Sequence, residues 1–363
     1  MLRSVWHYMI VLIFIIILAG CGASEPTSTE PDDEETVEDS MQESGPEEVE
    51  EEEDVVFPYT APLTGLGSMT ELDQRIVAVM INNHSKARPQ TGLGEADMVY
   101  EVLSEGYITR LIALYHSQSP EVIGPVRSLR PYFIDIVNGY DAIFAHAGGS
   151  TEALSIVRQR HLPSLDEIYN SERSFYRVDF RKAPHNLYTN LDLLREGAEY
   201  RGFREDSEIP GLLFKEPEEE MEGTSADEID ILYADSYSVS YHYDEETELY
   251  TRHVQGTPHL DRETEEPLTM TNVFVIETSH RILDNEGRRA VDVMSEGKGL
   301  LFQKGKVIEC EWRRVDGVIR PFVDGREIGL YPGKTWVNIV PNSPGLDHYV
   351  NDNREDTSST DHE

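Results

Sequence analysis

The sequence predicts an α+β protein, with an N-terminal mixed α/β sandwich-type domain followed by a smaller, mainly antiparallel β domain. Three observations carry that reading. Ile76 to Ile81 (IVAVMI) is a continuous apolar, β-branched run, the pattern of a strand buried on both faces. Glu121 to Ser150 twice passes from a strand end into a helix start. From Tyr237 the period changes to two: Tyr237, Val239, Tyr241 and Tyr243 alternate, Asp244–Glu246 turns, and Leu249–Val254 returns as a hairpin partner.

The chain has 363 residues and a formal net charge of −38, a length that admits two domains plus tails. The acidity is uneven. No Lys or Arg occurs between Arg3 and Arg75, while Glu25 to Asp54 is crowded with carboxylates. Such a balance argues against nucleic acid as a partner, because a phosphate backbone needs a basic surface. The two cysteines are too few for a disulfide framework.

Residues 1–20 read as a secretory signal: Arg3 precedes an apolar core from Met9 to Leu18, and Leu18-Ala19-Gly20-Cys21 follows. This resembles the lipobox of bacterial lipoproteins. The resemblance implies cleavage before Cys21, diacylglycerol on its sulfur, and anchoring to the outer face of the cytoplasmic membrane. An uncleaved anchor is the alternative, but the apolar run is short for a span. Residues 21–56 form an acidic spacer with scarcely any large apolar residue, expected to stay disordered and to act as a tether.

The N-terminal domain is placed at residues 57–204. After the run at Ile76–Ile81 comes a polar strand end, Asn82 to Gln90; Met98–Leu103 and Arg110–His116 then read as a strand pair, with Glu101 and Arg110 as candidates to face each other. Gly124-Pro125 breaks the next strand, Arg127 and Arg130 follow, and Pro131 suits the first turn of a helix ending at Asn138-Gly139. Ala142–Ala145 is a strand running into His146, Gly148-Gly149 and the cap Ser150. Seven arginines between Arg158 and Arg201 make a local basic excess, before a helix over Leu191–Arg201.

An acidic linker is expected at 205–229, the β domain at 230–341 and a disordered tail at 342–363. Lys304-Gly305 and Asp324-Gly325 signal hairpin turns. Cys310, flanked by Glu309 and Glu311, reads as an unreactive core thiol; Trp312 and Trp336 read as carbohydrate-stacking platforms or, as is commoner for such residues, as fillers of a β core.

Bare amides at a helix start and forked guanidinium donors favour anions. The candidate ligand-binding residues are therefore Asn83, His84, Arg88, Arg110, Arg127, Ser128, Arg130, Asp135, His146, Arg177, Arg181, His185 and Asn186. Each arginine has a plainer alternative, pairing with Asp97, Glu101, Asp135, Asp141 or Asp179. Each histidine has one too, as a structural hydrogen-bonding residue. No His-His or His-x-x-Glu spacing supports zinc, and neither metal nor cofactor is expected.

The segments VMINNHSKARPQ, GPVRSLRPYFID, HAGGS and RKAPHNLYTN resemble the YerB-like family of lipoproteins from Gram-positive bacteria, over about residues 57–341. That resemblance implies a two-domain fold outside the membrane and supplies no reaction. The arrangement of strand end, arginine turn and small-residue helix start is also similar to the LytR-CpsA-Psr glycopolymer transferases, whose acid-rich and arginine motifs do not align here. The expectation is a lipid-anchored binder of an anionic envelope component. The alternatives are a cell-wall transferase or hydrolase using Arg127, Arg130, Asp135 and His146, and a scaffold for a membrane complex, which would expose an apolar patch.

Overall fold

The computed structural model describes residues 56–354 apart from Ser207 and Pro210. The lipobox with Cys21, the acidic tether and the end of the tail lie outside the described residues. Among the described residues no helix is long and apolar enough to cross a membrane.

The apolar run forms β1 (Val77–Asn82), buried along its whole length. β2 (Met98–Glu105) and β3 (Ile108–Tyr115) make a hairpin, and β3 lies antiparallel to β1. On the far side of β1, β4 (Ile143–His146) and β5 (Ser164–Asp166) continue in parallel. Alternation explains the double burial: Val77, Val79 and Ile81 enter one apolar cluster, while Ala78 and Met80 enter the other.

Three helices belong to this segment. In α1 (Pro131–Val137), Pro131 occupies the first turn, where no N–H is needed. The α-helix stops at Asn138 as expected, but in the right-handed region, φ −58°, and not as an αL terminus. The chain then tightens into a 3-10 turn and closes at Asp141, φ 49°. Gly139 answers a packing demand instead: a Cβ there would lie 2.2 Å from Gly317 O. In α2 (Thr151–Arg160), Ser150 Oγ caps the start by accepting from Ala153 N–H at 3.1 Å. A small hairpin, β6 (Tyr176–Arg177) and β7 (Leu187–Tyr188), precedes α3 (Leu191–Tyr200).

β8 (Glu228–Ala234), β9 (Tyr237–Asp244) and β10 (Leu249–Val254) build the expected antiparallel sheet. Tyr241 and Val239 turn into the cluster that holds Val79 and Ile81. The remaining long strands extend the first sheet. They are β11 (Asn272–Thr278), β14 (Gly297–Gln303), β15 (Lys306–Val315), β16 (Val318–Val323), β17 (Arg326–Glu327) and β18 (Thr335–Pro341). Between β11 and β14 lies a short hairpin, β12 (His280–Ile282) with β13 (Arg289–Val291). β18 lies parallel to both β11 and β2, so one twelve-stranded sheet runs β17-β16-β15-β14-β11-β18-β2-β3-β1-β4-β5, with Thr224–Ser225 paired to β15.

Lys304-Gly305 and Asp324-Gly325 are hairpin turns with positive φ at both residues, 46° and 66°, 50° and 77°. Cys310 is a free buried thiol, pushed up to about 12 by burial, Glu309 and Glu311. Trp312 and Trp336 fill the core.

Two boundary expectations are corrected. In the acidic linker, Phe214 bridges Leu330, and Leu212 and Phe214 pack on the core, because this stretch carries apolar residues between its carboxylates. In the tail, α4 (Leu346–Tyr349) leads into β19 (Val350–Asp352), which pairs with β8 and covers that sheet's edge.

Candidate functional site

At the end of β1 the chain leaves the sheet among polar residues, and a chain of directional hydrogen bonds fixes them. Asn82 Oδ1 accepts from His84 N–H at 3.1 Å. That sets the amide orientation, so Asn82 Nδ2 donates to His185 Nδ1 at 2.9 Å. His84 Nδ1 in turn accepts from Lys86 N–H at 3.1 Å, capping the short turn Ser85–Ala87. Both imidazoles thus use Nδ1 as acceptor. Their protons sit on Nε2, and among the described residues no group accepts from either Nε2.

The β6–β7 hairpin delivers His185. Arg181 ties the loop of that hairpin down by donating to Lys86 O at 2.8 Å and Pro89 O at 2.5 Å. The two imidazole rings lie 5.0 Å apart, tilted by 34°. Arg127 enters from the extended segment beside β1, where its N–H donates to Met80 O at 2.8 Å.

Charge at this end is one-sided. Burial, then Lys86, Arg88 and Arg127, hold His84 below its ordinary value. Burial, then His84, Arg127, Lys86 and Arg181, do the same to His185. Among the described residues no carboxylate lies within ion-pair distance of Lys86, Arg88 or Arg127.

The other predicted residues divide. Arg88 stands beside the site over the Tyr237 ring at 5.1 Å, with Nη1 buried and without a partner. Arg110 and Arg130 do not reach outward: both bind the Glu105 carboxylate, Arg110 at 2.8 Å. Burial alone would raise Glu105, but the two guanidinium groups bring it below the carboxylate range. Ser128 contributes only its carbonyl oxygen, to Arg110 at 2.8 Å. Asp135 faces Arg160 at 3.6 Å on the helical layer. His146 is sealed, donating to Gly148 O at 2.8 Å and accepting from Ser164 Oγ at 2.7 Å. Arg177 is an exposed residue held by Glu167 at 2.7 Å and Asn186 at 3.1 Å. Arg127, Arg130, Asp135 and His146 therefore do not form a catalytic set, since three of the four are taken up by other partners.

Asn83 points inward, into a buried network joining the two halves of the chain. Its two Nδ2 hydrogens go to Thr109 Oγ1 and Tyr237 Oη, both at 2.7 Å, and those hydroxyls donate onward to Glu101 Oε1 at 2.8 and 2.6 Å. Glu101 faces not Arg110 but Arg252, at 2.7 Å, with both side chains fully buried. Register explains the exchange: Arg110 pairs with Val102, so Glu101 falls on the opposite face. Arg252 can only donate, so His259 Nδ1 accepts from it and His259 Nε2–H donates to Gln90 Oε1 at 2.7 Å. Gln90 Nε2 then donates to Asn82 O at 3.0 Å and Asn83 Oδ1 at 2.9 Å. The position of Asn82 is thereby set from the second half of the chain.

Asn82, Lys86 and Gln90 are the site residues that sequence reasoning missed. The polar run after a fully apolar strand was the available signal.

Two family descriptions match this chain: protein of unknown function (DUF3048), N-terminal domain, over residues 63–204, and its C-terminal domain over residues 229–337. The chain is 44% identical over 292 residues to YerB of Bacillus subtilis (strain 168), an inferred lipoprotein, covering 79% of this chain and 88% of that one. It is also similar to the crystal structure of the YerB protein from Bacillus subtilis, with a TM-score of 0.74 and 43% identity over 81% of this chain and 99% of the other.

Proposed function

The chain belongs to the DUF3048 family of YerB-like lipoproteins, and we propose that it binds an anionic group at the end of β1. One observation carries the reading: two imidazoles 5.0 Å apart, both with Nδ1 engaged as acceptor, stand in the field of Lys86 and Arg127, which have no carboxylate within ion-pair distance among the described residues. His84 and His185 offer Nε2–H, Arg127 its guanidinium and Lys86 its ammonium, while both Nδ1 atoms are engaged. A site of this kind has nothing poised to take a proton, which supports binding over acid–base catalysis. A phosphate or carboxylate oxygen would complete the donors that the protein leaves open.

The test is calorimetric titration of the full-length protein with inorganic phosphate, pyrophosphate and acetate. Saturable binding of at least one anion is expected, weakened about tenfold or more in Arg127→Ala, since a hydrogen bond to a charged group contributes about 1.5–3 kcal/mol. Absence of binding, or equal affinity in Arg127→Ala, contradicts it.

A further inference from the structure

Just beyond the basic end of β1 the surface turns apolar. Asn82 lies opposite Arg110 in the sheet, and β3 begins two residues before Arg110 at Ile108, preceded by the turn residue Tyr107. That turn adjoins the loop between β12 and β13: Gly106 N–H donates to Gly287 O at 3.0 Å, and Arg289 donates to Gly106 O at 2.8 Å. The approach is close enough to require glycine at 287, where φ is 72° and a Cβ would lie 2.7 Å from Gly106 N. The two loops together expose four large apolar side chains: Tyr107 at 64%, Ile282 at 60%, Leu283 at 45% and Ile108 at 40%.

We infer that this double tip is a membrane-contact face, seating Tyr107, Ile108, Ile282 and Leu283 at the headgroup boundary of an anionic lipid surface. The charge around it fits that occupant. Arg288 pairs with both Asp284 and Glu286, at 2.6 Å each, leaving one negative charge there, while Arg110 and Arg130 on the single Glu105 leave one positive charge. Arg281, exposed on β12, has no carboxylate within ion-pair distance among the described residues, and Arg127 and Lys86 lie at the same end of the sheet. Residues 56–354 carry 49 Asp and Glu against 30 Lys and Arg, a net charge of −19, so most of this surface is repelled by anionic lipid and this end is the one that approaches. Tyrosine and aliphatic tips flanked by arginine match the interfacial layer, where apolar groups sink a few ångströms and cations meet phosphate.

The test places a tryptophan reporter in the mature protein, lipidated on Cys21, on vesicles of phosphatidylglycerol and phosphatidylcholine with brominated acyl chains. Trp6 belongs to the segment cleaved off ahead of Cys21, and Trp312 and Trp336 are buried. Tyr107→Trp and Ile282→Trp are each expected to lose about half or more of their emission, as for residues at the acyl boundary. Tyr200→Trp, on α3 at a site 87% exposed, is expected to keep its emission. Equal quenching at all three positions, no quenching at 107 and 282, or quenching unchanged without phosphatidylglycerol overturns the inference. A protein partner on these tips would give the second of those results. The double variant Tyr107→Ser with Ile282→Ser is expected to bind phosphate as the parent does, so this face and the anion site fail independently.

Discussion

Asn82 and His185, brought together from distant parts of the chain, meet through a single hydrogen bond of 2.9 Å in which the amide donates and the imidazole Nδ1 accepts. That contact decides which nitrogen of His185 faces outward as a donor. Asn82→Asp replaces the donor by an acceptor and adds a negative charge. His185 is then expected to carry a proton on Nδ1, and phosphate affinity to fall about tenfold or more, the cost of a like charge beside a bound anion. Nitrogen NMR of the imidazole and a phosphate titration check both parts.

Arg252 and Glu101 supply a stability prediction. Both are fully buried, and truncating one strands the other, so Arg252→Met is expected to cost about 3–5 kcal/mol in chemical denaturation. Adding Glu101→Gln to that variant removes the stranded charge and is expected to recover part of the loss. A cost below about 1 kcal/mol for Arg252→Met contradicts the network.

Anion binding carries a pH signature. His84 and His185 are held below the ordinary histidine value, so near pH 8 both are neutral and still donate through Nε2–H. Sulfate, a dianion throughout, is expected to bind at pH 8. An anion set among the cations offsets their field and raises both imidazoles, so affinity is expected to climb as pH falls through the bound-state values. Sulfate binding that vanishes at pH 8 would mean imidazolium is required.

Much of the fold was legible because local chemistry agreed with it. The β1 run, the Pro131 helix start, the Ser150 cap and the Lys304-Gly305 turn each follow from residues a few positions apart. The extended entry of Arg127 beside β1 was legible for the same reason, since it stands just past the Gly124-Pro125 break. Asn82 and Gln90 were not, since their roles come from His185 and His259, far away in sequence. Arg130 looked like a ligand-binding residue until the β2–β3 turn placed Glu105 against it. The strand β19 carries no local signal at all; its order comes from the open edge of β8.

Acid stability follows from a different histidine. His280 is lowered from 6.5 to about 4, chiefly by burial. A depressed imidazole takes up its proton more readily in the unfolded chain, so stability is unaffected above about pH 6.5 and declines as pH falls toward 4. The loss reaches about 3 kcal/mol at about 1.4 kcal/mol per unit. His280→Gln is expected to flatten the denaturation midpoint across that window, and an unchanged acid slope contradicts the assignment.

The most direct test of the central claim, that the end of β1 is a cluster of donors awaiting an anion, is nitrogen NMR of His84 and His185 during a sulfate titration at pH 7. Both rings are expected to be neutral with the proton on Nε2, and both Nε2 signals to move together and saturate. A proton on Nδ1 of either ring in the free protein, or Nε2 signals that stay still at high sulfate, contradicts the account.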